Sequence, residues 1–143
     1  MTTTADTAAP TTTTRPAGSS IGVLTATGFA AAAVASIATM SVAAAGHAAG
    51  ISLDVSGAPI PIGGFGTLTA VFSLVGLVLA AVLSRTARHP RRAFLRTTVI
   101  LTVLSLVPDA IADAAPATKA LLMLTHLVAA AIVIPAVGRR LAK

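Results

Sequence analysis

The sequence lacks cysteine, tryptophan and tyrosine altogether, and charged side chains make up only 10% of its 143 residues. The absence of cysteine excludes disulfides, thiolate metal sites, covalent haem attachment and cysteine nucleophiles. A soluble domain carries roughly 25% charged residues, so this chain has too few charges to cover a soluble surface. It also contains no GxGxxG, Walker A or HExxH pattern, the motifs that mark dinucleotide, phosphate and zinc sites. We therefore expect no enzyme activity and no cofactor.

What the chain has in abundance is apolar residues, which form 55% of it and give a mean hydropathy of +0.92. They are gathered in long blocks, and about 20 consecutive apolar residues are enough to cross a bilayer as an α-helix. We therefore predict an all-α integral membrane protein, a four-helix bundle of antiparallel up-down topology within residues 19–143. The predicted spans are residues 20–46, 63–84, 93–115 and 117–137.

Residues 1–18 differ in composition from everything that follows. They are almost entirely threonine, alanine and proline, with hardly any large apolar side chain. Such a segment buries too little surface to offset its ordering entropy, so we predict a disordered, solvated tail. The alternative is that this tract is modified or binds a partner.

The first apolar block has two interpretations. The small residues Ala43, Ala44 and Ala45 resemble a signal-peptide cleavage site, but the block is far longer than the roughly 7–15 residues of a signal core. Only Arg15 precedes it. We therefore predict an uncleaved span. Because alanine dominates it, we expect this span to be weaker than the other three and to depend on them for its place in the membrane.

Basic residues give the orientation. With four spans, nine of the ten basic residues fall on one side of the membrane and only Lys119 falls on the other. Under the positive-inside rule the first side is cytoplasmic, so we predict cytoplasmic N- and C-termini and a location in the cell membrane. The net charge of +6 does not indicate a nucleic-acid partner, because no basic stripe with interleaved aromatics is present. The nine residues are Arg15, Arg85, Arg88, Arg91, Arg92, Arg96, Arg139, Arg140 and Lys143.

Each predicted span carries small and hydroxyl residues on one face, at about 100° per residue. Faces of this kind are where membrane helices pack and hydrogen-bond to one another, and most of these positions are explained by packing alone. The faces are Thr25, Gly28, Ala32, Ser36, Thr39, Ala43 and His47; Thr69, Ser73, Gly76 and Ala80; Thr98, Thr102, Ser105, Asp109 and Asp113; and Lys119, Met123, His126 and Ala130.

Five ionisable residues form a candidate polar site within or near the membrane. The depths of Asp109 and His126 in their spans match, which makes a contact between them geometrically reasonable, and such residues commonly mark functional sites. A structural hydrogen bond is the equal alternative. Asp113 and Lys119 either form a pair across the following turn or merely mark the end of the membrane, and His47 lies near the same end. No tight spacing of ligands supports a metal site.

The segment Leu122 to Pro135, followed by a basic tail, resembles the end of an uncharacterised family of small four-helix membrane proteins found mainly in actinobacteria. Within it the pattern of His126, Ile134 and Pro135 is the most distinctive part. The stretch from Gly63 to Arg85, a glycine-containing span that ends on arginine, is similar as well. The resemblance implies the fold and the membrane location, and it implies no activity, since the family is a domain of unknown function.

Three functions are compatible with these features. The first is a non-enzymatic accessory or envelope component, with the lipid bilayer and either a second copy or another membrane protein as partners. The second is a small ion- or proton-coupled transporter that uses Asp109 and His126. The third, an intramembrane enzyme with these residues as acid and base, has the least support because no nucleophile is evident.

Overall fold

The computed structural model describes residues 18–142, and within them four long helices dominate. All four are long and apolar enough to cross a membrane, so the predicted all-α fold of four spans is confirmed. The predicted tail lies outside the described residues except for Gly18, which begins the first helix. The helices are α1 (Gly18–Ala48), α2 (Ile62–Thr86), α3 (Pro90–Ile111) and α4 (Pro116–Gly138), with two short strands, β1 (Asp54–Val55) and β2 (Ala58–Pro59), between α1 and α2.

Prolines begin α3 and α4, and one of them also separates the two helices. Proline suits the first helical position because its missing N–H would have no partner there. It also disfavours helical backbone at the preceding residue, and Ala115 before Pro116 is extended (φ −61°, ψ 149°). Helix α3 already ends at Ile111, because Ala112 is extended (φ −56°, ψ 146°), and it does not continue to residue 115 as predicted. Asp113 therefore lies in the turn and does not belong to the polar face of α3.

Helix α1 is the most buried of the four, and it packs along both α2 and α4. Two glycines bring its backbone close to large side chains: a Cβ at Gly28 would lie 2.5 Å from the side chain of Leu77, and one at Gly46 would lie 2.7 Å from Leu121. Helix α3 packs on α4 and α2 and is the least buried. It is also the least apolar span, below α1, so the prediction that α1 is the weakest was wrong on this measure.

Part of the predicted polar faces of α1 and α2 lies at the interface between these helices, although His47 is exposed and Gly76 has no side chain near it. Thr39 Oγ1 and Thr69 Oγ1 share a hydrogen bond of 3.0 Å between α1 and α2, and Ser73 and Ala80 are buried on the same side of α2. The buried face of α4 differs from the predicted one, because Thr118, Leu121, Thr125, Val133 and Val137 are its buried residues. The predicted residues of α4, including His126, are only half-buried.

A small hairpin formed by β1 and β2 covers one end of the bundle. Its two turn residues, Ser56 (φ 52°) and Gly57 (φ 78°), both have positive φ, as a tight two-residue hairpin turn requires. The Ser56 N–H donates to the carbonyl of Asp113 (2.8 Å), and Thr118 Oγ1 donates to the carbonyl of Ser52 (2.6 Å). We call this the hairpin end. The opposite end, which holds the α2–α3 connection and the C-terminus, is called the arginine end.

Candidate functional site

Asp109 and His126 meet between α3 and α4, where His126 Nδ1 lies 2.8 Å from Asp109 Oδ2. The contact follows from side-chain direction, because helical side chains lean toward the N-terminus of their own helix. Helix α4 begins at the hairpin end and α3 begins at the arginine end. The two side chains therefore lean toward each other. Within residues 18–142 this is the only contact shorter than 4.0 Å between a basic and an acidic side chain.

The hydrogen bonding of this pair is incomplete. His126 Nδ1 also lies 3.1 Å from the backbone carbonyl of Leu122, one turn earlier. Of these two acceptors only the Leu122 carbonyl is aligned with Nδ1, and Asp109 Oδ2, although buried, has no well-aligned donor among the described residues. Asp109 also lies in the last turn of α3, where the helix dipole disfavours a negative charge. An additional proton or a cation would satisfy this oxygen.

The exposure of the two side chains differs. Asp109 is 13% exposed and lies two residues before the end of α3, whereas His126 is 38% exposed and lies ten residues after the start of α4. The backbone depths of the two residues therefore do not match as predicted, and the contact forms because the imidazole extends toward the hairpin end. Because of its exposure, part of the imidazole faces outward from the bundle within an apolar span.

The structure does not bring the other predicted site residues to this pair. Lys119 Nζ donates to the carbonyl of Ala110 (3.3 Å) and forms no ion pair with Asp113, which is exposed. Of the two alternatives for these residues, the Asp113–Lys119 pair is therefore absent from the structure, and Lys119 contacts the backbone at the end of α3 instead. His47 is exposed at the hairpin end, beside a shallow depression of about 280 Å³ that Ser52 and Asp54 also line.

The hydroxyl groups along α3 do not form a visible chain from Asp109 to the arginine end. Ser105 Oγ donates to the carbonyl of Thr102 (2.7 Å), and Thr102 Oγ1 donates to the carbonyl of Thr98 (2.8 Å). These hydroxyl protons are thus used by the backbone of their own helix. In the part of the chain that the structure covers, no three metal-ligating side chains lie together.

Sequence reasoning missed the polar groups of the hairpin end. Ser52 Oγ donates to Asp54 Oδ2 (2.7 Å) and accepts from the Asp54 N–H (3.1 Å). Serine and aspartate bond to their own backbone in this way at turns. The clue in the sequence was the dipeptide Ser56-Gly57 between Val55 and Ala58, since a pair of this type with two φ > 0 positions closes a hairpin.

Four apolar helices with a small polar contact inside them define the chain as a multi-pass α-helical membrane protein. Comparison with known families agrees with this class and makes it more specific. The chain belongs to the family of unknown function DUF6069, whose family model matches residues 19–143. The resemblance to such a family is thereby confirmed. Comparisons with curated proteins and with solved structures give no match.

Proposed function

We propose that this chain is a non-enzymatic accessory or envelope component of the cell membrane, and that it acts by packing the α3–α4 side of its bundle against another transmembrane helix. The supporting observation is the 38% exposure of His126 well inside α4. Hydrocarbon offers no hydrogen-bond partner, so a polar group at this depth is covered by protein or by a watered cavity. Helix α3 is also the least covered of the four.

Self-association is the simplest form of this packing. Ala130 lies one turn beyond His126 on α4 and is half-buried, so a second bundle that covers His126 would also approach Ala130. The cysteine-free chain makes Ala130→Cys the only thiol. We expect this variant to form disulfide-linked dimers in oxidised membranes. The control is Phe72→Cys, at a position of α2 that is 67% exposed to lipid and away from the proposed face.

Three outcomes separate the alternatives. Dimers from Ala130→Cys alone support self-association, and equal cross-linking of both variants indicates random collision and contradicts it. A different partner at the same face is supported if the protein is monomeric in mild detergent and co-purifies with one other membrane protein in a stoichiometric amount. The His126→Leu variant should then lose that protein. A monomer with neither behaviour overturns the proposal.

A second candidate, a small proton- or cation-coupled carrier, is favoured by one specific observation. Asp109 Oδ2 is buried without a well-aligned donor, so it is suited to take up a proton or a cation from a watered cavity. In this case Asp109→Cys should react with a water-soluble maleimide. Proteoliposomes should then take up a cation under a proton gradient, and Asp109→Asn should abolish uptake in a folded protein. An inert thiol in a stable Asp109→Cys variant would contradict this candidate.

A further inference from the structure

The arginine end has a large excess of positive charge that the described chain does not neutralise. Seven arginines lie there, whereas the described acids, Asp54, Asp109 and Asp113, lie at or toward the hairpin end. Within residues 18–142 none of the seven forms an ion pair with a carboxylate. This end is therefore able to attract anions from outside the described chain, including anionic lipid headgroups. The seven are Arg85, Arg88, Arg91, Arg92, Arg96, Arg139 and Arg140.

Several of these arginines converge at one corner, because the chain end packs against the beginning of α3. The Arg91 N–H donates to the carbonyl of Ala142 (3.3 Å), and a Cβ at Gly138 would lie 3.3 Å from the side chain of Leu95. Phe94 and Val137, both fully buried, belong to the same apolar cluster. The beginning of α3 and the chain end, which both carry arginines, therefore lie together at one corner of the bundle.

Arg96 stands apart from the rest because it lies inside the span. It follows Pro90 by six residues, or about 9 Å of helix, and its side chain is exposed. It also borders a shallow, wide-open furrow on the surface of α3 itself, which Leu95, Val99 and Ile100 line. An arginine at this depth extends its side chain toward the interface, where its charged group stays hydrated. Arg92, one turn nearer the interface on the same face, is exposed too.

We propose that this furrow binds one anionic phospholipid. An acyl chain lies along Leu95, Val99 and Ile100, and the phosphate lies between Arg92 and Arg96. Guanidinium groups hold phosphate oxygens in a bidentate manner and remain charged at all physiological pH values. Basic pockets beside transmembrane helices recognise anionic headgroups by the same chemistry. The site requires both parts, because the furrow holds the acyl chain of the lipid and the two arginines select a negatively charged headgroup.

The test uses the full chain, purified in mild detergent and titrated with phosphatidylglycerol or with phosphatidylcholine of identical acyl chains. Native mass spectrometry counts the retained lipid, and thermal unfolding reports stabilisation. We expect one retained phosphatidylglycerol, with an apparent affinity that falls about fivefold in Arg96→Gln. The matched control is Arg85→Gln, because Arg85 is an exposed arginine at the end of α2, and we expect it to bind as the wild type does.

A second pair of variants tests the furrow independently of charge. Val99→Trp fills the furrow and should weaken phosphatidylglycerol binding, whereas Val78→Trp, at a lipid-exposed position of α2, should not. This pair keeps the proposal testable if Arg96→Gln fails to fold. Equal loss in Arg96→Gln and Arg85→Gln would mean general charge attraction and would overturn the site. The proposal would also be overturned if the protein retained phosphatidylcholine as well as phosphatidylglycerol. The same holds if glycerol phosphate, which has no acyl chains, fully displaced the bound phosphatidylglycerol.

Discussion

Single small residues set how closely the helices approach each other. At Gly28 the absence of a side chain leaves room for Leu77, which is itself buried. In a membrane, helices are held by van der Waals contact and not by expulsion of water, so close approach at small residues contributes directly to stability.

Gly28→Ala should therefore lower the stability of the bundle. The added methyl group would lie 2.5 Å from a Leu77 methyl, and overpacking of this kind costs about 1–3 kcal/mol. Thermal unfolding in detergent, followed by circular dichroism, measures the change. Gly22→Ala is the matched control in the same helix, since nothing lies within 4 Å of its added Cβ. A rescue of Gly28→Ala by Leu77→Ala would confirm the contact, and equal effects at Gly22 and Gly28 would refute it.

Substitutions at Asp109 distinguish hydrogen bonding from charge. Asp109→Asn keeps a polar group beside His126 and should leave the melting temperature nearly unchanged. Asp109→Leu removes the partner of a part-buried imidazole and should cost about 1–3 kcal/mol. Thermal unfolding of the two variants in the same detergent gives the comparison. Equal loss in both would show that the bundle needs the negative charge itself.

At the scale of elements, the hairpin end is a second stabilising feature beside the helix faces. Leu53, between α1 and β1, is buried with Ala43, Phe65 and Leu121. Thr118, at the start of α4, is 1% exposed and bonds to the carbonyl of Ser52. The hairpin therefore ties the α1–α2 connection to the α3–α4 turn.

Thr118→Val should loosen this end. The substitution keeps the shape of the side chain but removes the donor to the carbonyl of Ser52, and the loss of such a hydrogen bond costs about 0.5–1.5 kcal/mol. Hydrogen exchange should rise in the hairpin before global unfolding. Thr67→Val is the control, because exposed Thr67 bonds only to a carbonyl of its own helix, at Gly63. Unchanged exchange in Thr118→Val would contradict the role of this bond.

The sequence predicted the four helices because their signal, long apolar runs, is local. The packing faces of α1 and α2 were also predictable in part, since helical periodicity alone assigns Thr39 and Ser73 to the polar faces of their helices, and both are buried. The end of α3 was not, because the chain leaves the helix at Ala112, within an apolar run that gives no local signal for a helix end. The exposure of His126 was not predictable either, since it depends on how little of α3 and α4 the other helices cover.

At the scale of the whole molecule, charge is divided between the two ends. The seven described arginines lie at one end and the hairpin with its exposed acids lies at the other. Loops rich in arginine stay on the cytoplasmic side during insertion, so this division predicts the orientation of the bundle.

Removing the charges of the α2–α3 connection should disturb that orientation. When Arg88, Arg91 and Arg92 are all replaced by glutamine, fewer basic residues remain on the cytoplasmic side. We therefore expect a mixed population of the two membrane orientations. Reporter fusions after Ala87 measure the fraction on each side. Uniform retention of the wild-type orientation would show that the determinant lies elsewhere.

The central claim, a bundle that crosses the membrane four times with the arginine end in the cytoplasm, is tested most directly by thiol labelling. Ala58→Cys in the hairpin and His89→Cys in the α2–α3 connection are exposed positions in a chain without other cysteines. In right-side-out vesicles, a membrane-impermeant maleimide should label Ala58→Cys at once and His89→Cys only after permeabilisation. Labelling of both before permeabilisation, or of His89→Cys alone, would contradict the account.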